Sequence, residues 1–139
     1  MREIEVQRIS QAVCEMCISS NCLVSSDIQA AIETAERNET GPLAKTVLKT
    51  LLENAAVARD KMIPICQDTG MVVIFVDLGQ EARLVGGDLE AAINEGVARG
   101  YAEGYLRASV VSDPIRRLNT KNNTPAGSKN NRVEGSTTS

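Results

Sequence analysis

Histidine and tryptophan are absent from this chain, and aromatic residues make up only 2% of its 139 positions. Without histidine, the side chain that most often serves as a general base near neutral pH and as a zinc ligand is missing. Acid–base or metal chemistry must then run on carboxylates, Lys, Arg, Tyr or thiolates. The scarcity of rings removes the stacking platform of single-strand nucleic-acid binders, and a formal net charge of −3 offers phosphates no basic field. Both features argue against a nucleic-acid partner. A small anion stays in play, because local Arg groups can oppose a mildly acidic whole.

Long apolar runs are also missing. No stretch approaches the roughly 18 apolar residues of a membrane span, and the opening Met1-Arg2-Glu3-Ile4-Glu5 alternates charged and apolar side chains instead of building a signal peptide. The expectation is a cytoplasmic chain with no membrane partner, whose four cysteines are thiols or metal ligands and not disulfides. What the chain does have is 42% hydrophobic content, enough for a core that must be aliphatic.

Apolar residues at Val6, Ile9, Val13 and Met16 step by three and four, the spacing of one helix face, and predict a helix near 3–20. Ser25, Ser26 and Asp27 offer N-cap oxygens for a second helix near 26–37. A third near 42–59 carries the stripe Leu43, Val47, Leu51 and Ala55, flanked by Leu48 and Leu52, with Pro42 in its first turn. The run Met71 to Val76, rich in β-branched residues, predicts a strand near 71–77 buried on both faces, and Leu84-Val85 adds a further short strand. A fourth helix is expected near 88–104 with Leu89, Ala92, Ile93 and Val97 on its apolar side. Its Gly96, Gly100 and Gly104 suit close approach of another backbone, or else simply weaken the helix. Helices, then a buried strand, then a further helix amount to an α+β fold. After Leu118 the composition turns to Asn, Thr, Lys, Gly and Ser, and residues 127–139 are expected to form a disordered tail.

Between the third helix and the strand, Cys66-Gln67-Asp68-Thr69 packs a thiol, an amide, a carboxylate and a hydroxyl into four successive positions. Pro64 on one side and Gly70 on the other restrict the backbone. By spacing alone two readings stand: a site loop entering a buried strand, or a small buried Cys66 with Asp68 and Thr69 capping a turn. The cysteines of Cys14-Glu15-Met16-Cys17, and Cys22, could form an independent metal motif, since helical cysteines at i and i+3 can share a metal, but packing is the preferred reading. Cys14 and Cys17 lie near the face of Val13 and Met16, and no strand is expected before them to make a thioredoxin-like redox pair.

Pro64-Ile65-Cys66-Gln67-Asp68-Thr69-Gly70 followed by an aliphatic strand resembles the signature loop of the iron-sulfur-dependent class I fumarases and L-tartrate dehydratases. The likeness extends to the Ala- and Leu-rich helix before the loop, to Leu106-Arg107-Ala108-Ser109-Val110-Val111, and to Asn123-Thr124-Pro125-Ala126. It covers most of residues 1–126. The resemblance implies a lyase, more narrowly a hydro-lyase, that adds water to or removes it from a small dicarboxylate, with a four-iron, four-sulfur (4Fe-4S) cluster held by three cysteines and one iron open to substrate as a Lewis acid. Cys66 would be one cluster ligand, Gln67 and Asp68 would contact substrate, Asp68 would transfer a proton at the substrate hydroxyl, and Arg107 would bind a substrate carboxylate. Thr69 is assigned the shaping of the loop.

The likeness implies that residues 1–126 are the N-terminal part of an α domain in a larger homo- or hetero-oligomeric enzyme. The family's two remaining cluster cysteines come later than this chain reaches, and no cysteine follows Cys66. The polypeptide alone is therefore expected to be inactive unless the missing part or another subunit completes the site. The alternative is a truncated, non-catalytic domain of the same fold that serves only in assembly.

Overall fold

The structure is a computed structural model that describes residues 2–133. Its order is β1 (Arg2–Glu5), α1 (Val6–Cys22), α2 (Ser26–Asn38), α3 (Pro42–Lys61), β2 (Val73–Gly79), β3 (Ala82–Val85), α4 (Leu89–Glu103) and β4 (Gly127–Val133). This is the α+β arrangement that the sequence predicts, and none of its helices is long and apolar enough to cross a membrane.

The core forms where α1 meets α4. Val13 and Cys17 on α1 pack with Ile93, Val97 and Tyr101 on α4, joined by Leu106 and Ala126, and the half-buried Val72, Ile74 and Val76 close this cluster from the side of β2. Each fully buried aliphatic side chain, such as Ile93 or Val97, contributes about 1.5–3 kcal/mol relative to exposure. The glycines of α4 set the spacing of the seam. A Cβ on Gly96 would overlap the Ser10 carbonyl oxygen and lie 2.8 Å from Val13 Cβ, and one on Gly100 would lie 2.7 Å from Cys17 Cβ. The glycine line is thus the contact surface for the α1 backbone, and Asp88, whose carboxylate accepts from Ala91 N at 2.9 Å, starts the helix that carries it.

Two small parallel sheets frame this seam. β1 pairs with β3, from Arg2 opposite Ala82 to Glu5 opposite Val85. β2 pairs with β4, from Val73 opposite Gly127 to Gly79 opposite Val133. A parallel pair needs a long crossover, and between β2 and β4 the connection contains α4, so the helix lies against the strand that precedes it.

Three expectations need correction. Arg2–Glu5 is a strand and not the first turn of a helix, because β3 offers it a ladder. The run starting at Met71 is a strand, but it is buried on one face only: Ile74 and Val76 turn to the core while Phe75 is 72% exposed. The tail expected over 127–139 is β4 as far as Val133, held by backbone bonding to β2 although its side chains are mostly exposed; the rest of that stretch lies outside the described residues. α2 and α3 pack on each other as a hairpin set apart from the core, and Ala58 is the one fully buried side chain in it.

Candidate functional site

The chain between α3 and β2 is fixed at both ends. Met62 closes α3 in the left-handed conformation. Next, Ile65 has both backbone groups engaged: its N–H donates to Asn21 O at 2.9 Å, and its carbonyl accepts from Asn54 Nδ2 at 2.8 Å. At the far end Gly70, at φ 61°, receives Asn123 Nδ2 on its carbonyl at 3.0 Å. Cys66, Gln67 and Asp68 are exposed between these anchors.

The second anchor belongs to a polar network reaching well beyond the loop. Tyr101 Oη donates to Thr69 O at 2.8 Å and lies 3.2 Å from Gly70 O. Burial pushes the Tyr101 phenol up, against the lowering effect of its bond to Thr69, so it stays protonated and remains a donor. Thr69 Oγ1 donates to Arg107 O at 2.8 Å. Asn123 Oδ1 accepts from Ser109 N at 2.7 Å and Val110 N at 3.0 Å. The two later segments that carry the family resemblance, 106–111 and 123–126, are therefore bonded to each other and to the end of the Cys66 loop.

The result is a cleft of about 620 Å³ lined by Ile63, Pro64, Cys66, Gln67, Thr69, Tyr105 and Arg107. It brings Cys66 and Gln67 together with Arg107 across some forty positions of sequence. Asp68 is not in its lining: the carboxylate turns back, with Oδ1 accepting from Gly70 N at 3.2 Å, and the Cys66 thiol donates weakly to the Asp68 carbonyl at 3.3 Å. The turn-capping reading of Asp68 and Thr69 is thus partly realised, while Cys66 is no buried packing residue. A second cavity, of about 460 Å³ between α1 and β2, is walled mainly by apolar residues such as Val13, Met16, Val73 and Phe75, with Cys17, Ser20, Asn21, Thr69 and Tyr101 as its polar or thiol groups, and has no charged side chain in its lining.

Cys66 differs from the other cysteines in kind. Cys14, Cys17 and Cys22 are buried, Cys66 exposed. Burial pushes the Cys17 thiol up to about 11 and raises those of Cys14 and Cys22, Cys14 further through its bond to Glu103. These three stay protonated, as poor metal ligands do. A strand does precede α1, contrary to expectation, yet Cys14 and Cys17 sit two turns inside the helix and not at the electropositive N-terminus that lowers a redox thiol. Among the described residues no three His, Cys, Asp or Glu side chains converge as a metal site. The donor set therefore fits one thiolate ligand from this chain, at Cys66, and does not complete a cluster.

Three residues escaped the sequence reading. Tyr101 and Asn123 hold the loop from inside, and Tyr105, at φ 53°, lines the cleft. Tyr105 occupies the left-handed position after α4 that glycine usually takes, with Leu106 N bonded to Tyr101 O at 3.0 Å. The only signal for Asn123 was its place in the resemblance segment, and for Tyr101 its helical spacing from Val97.

A family model described as fumarate hydratase (fumerase) matches residues 10–139, including the C-terminal stretch that the sequence reading placed outside the resemblance. Relatives include a putative L(+)-tartrate dehydratase subunit alpha of Methanocaldococcus jannaschii, 31% identical over 119 residues that cover 84% of this chain and 41% of the relative. The L(+)-tartrate dehydratase subunit alpha of Escherichia coli K12 is 25% identical over 122 residues, 88% of this chain and 40% of the relative. The chain thus spans about two fifths of the length of these relatives. With a family match that runs from residue 10 through the Cys66 loop to residue 139, the chain belongs to the fumarate hydratase family.

Proposed function

We propose that the chain is the N-terminal part of a hydro-lyase that reversibly adds water across the double bond of a small dicarboxylate, with fumarate/malate and tartrate as the candidate substrates. The observation that carries this reading is the cleft whose lining brings the exposed Cys66 and Gln67 together with Arg107. Cys66 would be one ligand of a 4Fe-4S cluster whose other ligands come from the rest of the enzyme. When bound, that cluster supplies Lewis acidity toward a hydroxyl and its neighbouring carboxylate. Arg107 binds a substrate carboxylate through its planar fork of donors, and Gln67 orients the substrate by hydrogen bonding. Asp68 holds or releases the proton at the substrate hydroxyl, which requires its carboxylate to leave the Gly70 amide and turn toward the cleft.

The partners follow from the same reading. The relatives' names describe alpha subunits, and we infer that this chain works with a further part or subunit in a homo- or hetero-oligomer. The exposed Leu43, Val47 and Leu51 on α3 and Met71, Val73 and Phe75 at β2 are the apolar surface such an assembly would cover.

The test is made in the complete enzyme carrying this segment, by iron content, visible absorption and dehydration of malate and tartrate. Cys66→Ser is expected to lose iron and activity together, whereas Cys14→Ala, Cys17→Ala and Cys22→Ala alter packing only. Asp68→Asn keeps an acceptor for Gly70 N, so it should retain iron and absorption but lower turnover. Arg107→Ala should mainly raise KM. Retention of iron and activity in Cys66→Ser, with their loss in Cys17→Ala, would overturn the site; an assembled enzyme without iron or sulfide would instead favour the purely structural alternative.

A further inference from the structure

We propose that Asn123 is a positioning residue that fixes the distance between the Cys66–Gln67 wall of the cleft and the Arg107 guanidinium, and thereby sets its fit to the two carboxylates of one substrate. This rests on the proposed binding of a dicarboxylate in that cleft. Asn123 is fully buried, at 0% exposure, and its backbone is left-handed at φ 59°, a conformation that asparagine tolerates better than most residues. Its carboxamide is almost fully used. The oxygen takes the N–H groups of Ser109 and Val110, and the nitrogen gives a proton to Gly70 O. The partners themselves fix which end is oxygen, since two donors meet one atom and an acceptor meets the other.

No other side chain of this size can do both tasks. An aspartate would supply the acceptor but set a second oxygen against Gly70 O, and an apolar residue would leave the Ser109 and Val110 amides without this acceptor. The bridge is specific in what it joins. Gly70 ends the loop that begins at Cys66, while Ser109 and Val110 follow Arg107 by two and three residues. Thr69 makes a parallel tie to the Arg107 carbonyl, so the two walls of the cleft are tied at two points. Asn123 itself is not in the cleft lining, so its effect on substrate must pass through these walls.

The experiment uses the assembled enzyme at matched iron content and measures binding of succinate, an unreactive dicarboxylate, by calorimetry, with butyrate as the single-carboxylate control. Arg107→Ala is expected to weaken succinate about tenfold or more. Asn123→Asp should weaken it by roughly three- to tenfold with little change for butyrate, because a displaced wall costs most where both carboxylates must be met. In the double variant, Asn123→Asp should add nothing to Arg107→Ala, as one residue acting through another requires. Should the aspartate variant fail to assemble, Asn123→Ser, neutral and smaller, carries the same cycle. Equal losses for succinate and butyrate, or additive losses in the double variant, would overturn the positioning role while leaving the substrate reading intact. Unchanged succinate binding in Arg107→Ala would overturn both.

Discussion

The α1–α4 seam and the α2–α3 hairpin are built from the same kind of amphipathic helix and end in opposite states. In the seam, Val13, Ile93 and Val97 are at most 1% exposed, and the glycines of α4 let the two backbones close until a single Cβ would collide. In the hairpin, α2 buries no residue and α3 buries only Ala58, while Leu43 of the apolar stripe stands 78% exposed. The stripe is as regular in α3 as in α4. Periodicity therefore forms the helix, but small residues at the contact decide how closely a partner within this chain can approach.

The largest expected difference between the regions is steric. Gly96→Ala adds one methyl group against the Ser10 carbonyl and Val13, neither of them the movable end of a long side chain, and should destabilise the chain by about 2–3 kcal/mol despite its better helix propensity. Urea unfolding measures this, and a stabilised Gly96→Ala would break the account of the seam. A smaller effect is electrostatic. Cys17, raised to about 11 by burial in the seam, binds its proton more tightly folded than unfolded, where a thiol titrates near about 8.5. Its contribution is complete below the unfolded value and is lost as pH rises toward 11. Cys17→Ala should flatten that part of the stability curve. Smallest of all is Val47→Ser on α3, half exposed to solvent, which should change stability by about 0.5 kcal/mol or less. A loss as large as that of Gly96→Ala would mean that the hairpin face is covered after all.

Legibility followed the same division. All four helices were legible within about three residues because side-chain spacing repeats along one segment, and the loop of Cys66 to Thr69 stood out by its chemistry. The two strands at the ends of the described chain were not. Gly127–Val133 has no alternation of apolar and polar residues, since its side chains are mostly in solvent and its bonding to β2 runs through backbone groups that every residue possesses. For the site, Cys66, Gln67 and Arg107 were legible through their resemblance segments and do line one cleft. Asp68 was legible as a residue but not in its orientation, because Gly70 N competes for its carboxylate.

From the sequence alone came the helix spans, the aliphatic core, the lack of a histidine in this chain and the family. These depend on residue identity and on neighbours three or four positions away. The tertiary structure alone decided that one face of β2 is open and that Asn123 joins Gly70 to Ser109 and Val110. Each of these depends on backbone groups tens of residues apart meeting within hydrogen-bond or van der Waals distance, and such meetings leave no periodic mark on the chain.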